Sequence, residues 1–369
     1  VLQWQIGVEI ELIAPQGLSR ETLAQKFCPP NGKVRRFFHP QSEPSKVPNM
    51  PVFENLTLGF EVFDVQGDLI VKCVDDLTLQ RDCLTNMPPK SGWYRIVSDD
   101  RRLLELVRQQ CNASDSIIEV LNPIAQLFRT ELQYGEGNMV KAVDSNNLPI
   151  AIASPLPGER ERPCEIITPP LKQDYLNYLE NLLNTALNLG FSIPHEGAIH
   201  IHFDAEALAD TRVFMNLVNL FWTYGDNLRQ LVGSNSNCQR LGKWHISLWE
   251  LVNDSYFPLL SWQEAKAELM KLPLTKYCDF NLKNIVYSLS DKYTFEVRIF
   301  PVWLDAESII YAGELIQGLL HRAINTEYID PQPILSWDLK QIQDLLTNLN
   351  LEPSTLAFWH KMAIAHNNA

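Results

Sequence analysis

Close to its start the chain writes Gly7-Val8-Glu9-Ile10-Glu11-Leu12, and this alternation constrains it more than any other stretch. Side chains alternate faces along a strand, so Glu9 and Glu11 share one face about 6.5–7 Å apart. Val8, Ile10 and Leu12 then point to the opposite face and reach a core. Two carboxylates at that spacing repel by roughly 2–3 kcal/mol at an effective dielectric of about 20. A fold relieves that repulsion by solvating the pair, which makes it an ordinary wet acidic face, or by placing a cation between them. The rest of the chain decides which.

The 369 residues are 46% hydrophobic and 20% charged, an ordinary globular balance with ample material for a core. The net charge of −13 argues against a nucleic-acid or anionic-membrane surface, while leaving room for one small basic pocket. Seven scattered cysteines without a Cys-x-x-Cys pair fit reduced thiols, and no apolar run approaches membrane-spanning length. The expectation is a soluble cytoplasmic protein with neither a membrane nor a nucleic-acid partner. Its oligomeric state is not legible.

Ser19 is placed to cap a short helix ending near Phe27. Residues 28–57 carry Pro29, Pro30, Pro40, Pro44, Pro48 and Pro51 and read as a long irregular excursion. Arg35 and Arg36 lie there beside Phe37, Phe38 and His39, either as a surface loop or as an arm over an anionic substrate. A hairpin follows, Phe60–Phe63 and Leu69–Val74 about Gln66-Gly67-Asp68. Next come a strand over 92–97, a helix capped by Ser98 or Asp99, another helix covering Ser116 to Phe128, and strands near 139–145 and 149–153. Asp174 opens an amphipathic helix closed by Gly190, and a long helix covers about 206–232. Asp305 caps another, and helices near 338–349 and 354–366 end the chain. Strands dispersed among long helices predict an α+β fold with a largely antiparallel sheet covered by helices on one face.

Four strand-like pieces each set ionisable side chains on one face: Glu9/Glu11, Glu165, His200/His202 and Glu296/Arg298. A hard divalent cation such as Mg²⁺ or Mn²⁺ takes carboxylate oxygens, accepts an imidazole and bridges to phosphate. An arginine two residues from a metal-facing glutamate can neutralise a phosphoryl group or a substrate carboxylate. Taken singly, a histidine on an apolar strand is more often a satisfied core group, and Glu-x-Arg an exposed salt bridge. Jointly the four point to a cation site with phosphate chemistry.

The ordered set Gly7-Val8-Glu9-Ile10-Glu11, Glu165-Ile166-Ile167-Thr168-Pro169-Pro170-Leu171, Gly197-Ala198-Ile199-His200-Ile201-His202 and Phe295-Glu296-Val297-Arg298-Ile299-Phe300 resembles the amidoligases. These belong to the carboxylate–amine ligase superfamily, with glutamine synthetase and glutamate–cysteine ligase. The likeness covers residues 1–12 and about 139–325. It implies one elaborated catalytic domain over 1–369, with an inserted elaboration at 28–135 and a helical appendage at 336–369. It further implies a glutamine-synthetase-like curved antiparallel sheet and an ATP-dependent ligase. Such an enzyme forms an amide or peptide bond through an acyl phosphate, on an amino acid, a peptide or a protein. By motif, Glu9, His200 and Glu296 resemble ligands of the metal on the ATP phosphates, and Glu11 and Glu165 ligands of a second metal near the carboxylate. Arg298 resembles the residue that stabilises the transferring phosphoryl group. Arg240 and Lys276 are candidate phosphate or carboxylate contacts, and His202 a supporting group. The family's further aspartate has no clear counterpart, with Asp144, Asp99 and Asp100 as candidates.

Two other readings compete. His-x-His on a strand also serves metal-dependent amide hydrolases, although no eightfold β–α alternation is visible. The other is a non-catalytic nucleotide- or peptide-binding relative. P-loop and dinucleotide-binding fingerprints are absent from the sequence.

Overall fold

A computed structural model describes residues 1–47, 50–79, 81–238, 240–288 and 292–367. In chain order the elements are β1 (Ile6–Ile13), α1 (Arg20–Phe27), β2 (Lys33–Val47), β3 (Met50–Phe63), β4 (Leu69–Val74), β5 (Tyr94–Ser98), α2 (Arg101–Gln110) and α3 (Ile117–Phe128). Then follow β6 (Gln133–Tyr134), β7 (Val140–Val143), β8 (Pro149–Pro155), β9 (Pro163–Ile167), α4 (Tyr175–Asn188), β10 (Ile199–Asp204), α5 (Thr211–Val232), α6 (Ile246–Val252) and α7 (Trp262–Leu269). The chain continues through β11 (Phe280–Asn281), α8 (Lys283–Val286), β12 (Thr294–Phe300), α9 (Ala306–Asn325), α10 (Leu339–Thr347) and α11 (Pro353–Asn367). The mixed helix and strand content and the antiparallel pairing agree with the sequence reading.

The chain divides into two compact units, one of residues 1–10, 170–183 and 196–369, the other of 11–169 and 184–195. In the first, strands run in the order β11-β12-β10-β1. Period-two alternation sets its two faces. Phe295, Val297 and Ile299 are buried with Ile199, Ile201 and Phe203, while Glu296, Arg298, His200 and His202 occupy the alternate positions. Phe221 of α5 meets the apolar face edge-on at Phe295, 5.2 Å between ring centroids. Helix α5 starts at Asp210, whose carboxylate accepts the Val213 N–H, and stops at Gly233, where φ is +69°. The predicted helix over 206–232 is therefore broken before Asp210, with a single 3₁₀ turn at Glu206–Leu208.

The second unit carries β9-β4-β3-β5-β8-β7-β6, with β2 on the other edge of β3. Strand β3 is long enough to pair β5 at Glu54–Leu56 and β4 at Phe60–Phe63. The expected irregular excursion over 28–57 is thus corrected to a long hairpin, β2 against β3. Among the described residues β2 pairs only with β3, and an edge strand tolerates a proline such as Pro40; Pro48 lies outside the described residues. Arg35 stands opposite Glu61 and donates to it at 2.5 Å, and Arg36 donates to the Gly92 carbonyl. Helices α2 and α3 pack Leu104, Val107, Val120 and Ile124 onto Ile96, Ala142 and Ala153. The cap of α2 is Asp100 rather than Ser98 or Asp99. Asp144 accepts the Asn146 and Leu148 N–H groups and shapes the β7–β8 turn.

Candidate active site

The first unit's strands bring five of the sequence-predicted side chains into one neighbourhood. The register sets Glu9 of β1 opposite His200 of β10, and His202 opposite Glu296 of β12. Glu9 Oε2 lies 3.1 Å from His200 Nδ1, and Glu9 Oε1 lies 3.2 Å from His202 Nε2. Glu296 Oε1 is 3.8 Å from each histidine. Arg298 donates to Glu296 Oε1 at 2.5 Å. All five side chains are buried, an expensive environment for charge unless it is paired.

Burial alone would raise both carboxyl pKa values. Lys292 and His202 outweigh it at Glu9, and Arg298 with His202 outweighs it at Glu296. Glu9 is held well below the usual carboxylate range and Glu296 is brought to about 2. Both are ionised at neutral pH. Burial and then the Arg298 charge lower His200 to about 4, so that ring is neutral and its Nδ1 carries the proton donated to Glu9. Burial opposes the Arg298 charge, yet Glu296 prevails and its pKa rises.

His202 is placed differently. Its Nδ1 sits 2.9 Å from Thr294 Oγ1, while the buried Nε2 makes no hydrogen bond despite its closeness to Glu9. A ring held at Nδ1 with Nε2 aimed among carboxylates is the usual posture of a metal ligand. The ligand atoms of Glu9, His202 and Glu296 lie within 4.8 Å of one another. This oxygen-rich donor set without cysteine suits Mg²⁺ or Mn²⁺. His202, expected only as a supporting group, thus joins Glu9 and Glu296 in the grouping. His200 lies alongside.

Further cations lie near the two carboxylates. Lys292 Nζ donates to Glu9 Oε1 at 3.0 Å. Lys276 is half-buried; burial and then the Arg298 charge lower its ammonium pKa, with Glu296 acting against them. Arg240 is near enough to Arg298 for the two charges to oppose each other. An acidic chain therefore gathers several cations in one place. Glu11, fully buried, and Glu165, half-buried opposite Val74 on β4, belong to the second unit.

Sequence reasoning missed Lys292, Asn281 and Asp279. Asn281 is opposite Glu296, donates to its Oε2 at 2.7 Å, and accepts the Lys283 N–H. Asp279 accepts the Gly242 N–H, while its own N–H donates to the Gly242 carbonyl. Its carbonyl accepts the Arg298 N–H. Only the short polar run Asp279-Phe280-Asn281 hinted at the two-residue strand that places them.

No helix among the described residues is long and apolar enough to cross a membrane. No curated protein matches the chain. The family model described as "Putative amidoligase enzyme" matches residues 2–320, a span that contains every strand and every candidate ligand. By that match the chain belongs to the amidoligase family.

Proposed function

We propose that the chain is an ATP-dependent carboxylate–amine ligase with a glutamine-synthetase-like sheet. It joins an amino acid, peptide or protein carboxylate to an amine. The observation that carries this reading is the convergence of Glu9, His202 and Glu296 beside Arg298 and Lys292, with Lys276 and Arg240 close enough to feel the charges there. Buried anions suit divalent cations, and the cations beside them suit a polyphosphate.

Glu9, His202, Glu296 and the adjacent His200 would hold the nucleotide's metal, with Glu11 and Glu165 kept as proposed ligands of a second by motif. Bound Mg²⁺ or Mn²⁺ would screen phosphate charge and orient the γ-phosphoryl group. Arg298 lies against Glu296 and is poised to stabilise the equatorial oxygens of the phosphoryl group in flight. A carboxylate oxygen attacks the γ-phosphorus, the bond to the β-bridging oxygen breaks, and ADP leaves. The amine then attacks the carbonyl carbon of the acyl phosphate, loses a proton, and expels inorganic phosphate. Lys276, with its lowered pKa, is suited to phosphate or carboxylate contact as a half-buried ammonium.

An ADP-release screen with Mg²⁺ across amino acids and amines, followed by mass spectrometry, tests the reading. Amide product matched one for one by ADP is expected. Amide hydrolysis without nucleotide would favour the hydrolase, and Mg-ATP binding without turnover on any amine would favour the non-catalytic relative.

A further inference from the structure

Beside the charged cluster, in the same unit, lies a cavity of about 380 Å³ that the reading above does not use. Leu248, Leu272, Leu274, Leu282 and Trp244 contribute its apolar lining. The Trp244 indole is fixed by its N–H donating to the Phe280 carbonyl at 2.6 Å and by an edge contact with the Phe280 ring. Thr275 and Cys278 line the cavity too, and both flank Lys276. Burial drives the Cys278 thiol up to about 12, and the nearby charges of Arg298 and Glu296 act on it. The loop through 272–278 is therefore a shared wall. One side lines an apolar cavity, and Lys276 feels Arg298, Glu296, Lys292 and Glu9.

We propose that this cavity is the specificity pocket of the ligase and that it receives the apolar side chain of an amino-acid substrate. Its volume falls at the lower end of small-molecule sites, and such sites are mostly apolar with a few placed polar groups. Here Ser247, Thr275, His245 and Lys283 are polar residues along its wall. Lys243, also at the cavity, is held by Asp226 at 2.6 Å. None of the residues that line the cavity is anionic, so a cationic side chain finds no partner there; Lys283 is a cation that an acidic side chain could meet, and glutamate is therefore the competitor that discriminates. A side chain seated there would have its backbone carboxylate or amine near the basic cluster, where the proposed chemistry needs it. The proposal rests on the ligase reading for the identity of the ligand, and on the cavity alone for its apolar character.

The test is isothermal titration of the full chain with L-leucine, L-phenylalanine and L-glutamate, with and without Mg-ATP. Leu272→Trp and Leu274→Trp fill the cavity from half-buried positions, which spares the core. The proposal expects leucine or phenylalanine to bind more tightly than glutamate, and each filling variant to weaken that binding about tenfold or more. Circular dichroism confirms that each variant is folded. Preference for glutamate, no binding of either apolar amino acid, or binding indifferent to both variants would overturn it. Apolar binding sensitive to filling, without ADP release on any amine, supports the pocket and removes the ligase reading. ADP release indifferent to filling does the reverse.

Discussion

Replacing Glu296 by glutamine keeps the side chain's size and removes its charge, and the surroundings make that a severe change. Oε1 accepts from Arg298 at 2.5 Å and Oε2 accepts from Asn281 at 2.7 Å. An amide has one carbonyl oxygen for these two donors, and its NH₂ must face one of them. Arg298, only 5% exposed, then loses its buried counter-charge. Breaking one partner of a buried ion pair costs about 3–5 kcal/mol. Against a typical stability of about 5–15 kcal/mol the variant remains folded at room temperature and melts earlier. The same change removes one of three converging ligands. Manganese affinity should therefore fall by more than the roughly 10–100-fold that loss of a supporting group costs. Far-UV circular dichroism melts, Mn²⁺ titration calorimetry and ADP release on the same preparation read all three effects. A Glu296→Gln protein that binds Mn²⁺ like the parent and turns over ATP would refute the metal assignment.

Three further outcomes are expected. Arg298→Ala should lower kcat about 10²–10³-fold with a smaller effect on nucleotide Kd, because its partner charge develops in the transition state; rapid-quench kinetics beside equilibrium titration separates the two. Burial raises the Asp279 pKa to about 6, with Arg229 opposing it, so folding favours its protonated form and that contribution is lost as pH rises from about 3.8 through 6. Asp279→Asn should therefore flatten the stability–pH curve across that window and gain up to about 3 kcal/mol above it, as read by urea denaturation at several pH values; an unchanged slope would contradict this. In the second unit, buried Asp75 accepts from Arg160 at 2.8 Å and lies 3.9 Å from Arg20. Asp75→Ala leaves two buried guanidinium groups without that charge and should cost about 3–5 kcal/mol in thermal or urea unfolding.

Much of the site was legible because strand alternation is a local rule. Glu9, His200, Glu296 and Arg298 were assigned faces by period two alone, and the register bears those faces out. The weight given to His202 was not legible. It depends on Thr294 holding Nδ1, a contact between strands that no spacing encodes. Lys292 was missed for a similar reason, since it reaches Glu9 across 283 positions of chain. The hairpin over 33–63 was hidden by its prolines, which signal irregular chain until an edge strand is known to be present. Short helices such as α6 and α7 gave too few turns for a periodic signal.

Phosphorylation of a carboxylate before the amine attacks leaves an isotopic trace in the phosphate released. A substrate acid labelled with ¹⁸O in its carboxylate, incubated with Mg-ATP and amine, should release inorganic phosphate carrying one ¹⁸O per amide formed. Amide and ADP formed together with unlabelled phosphate would contradict the acyl-phosphate route, and amide formed without ADP would contradict ATP dependence itself.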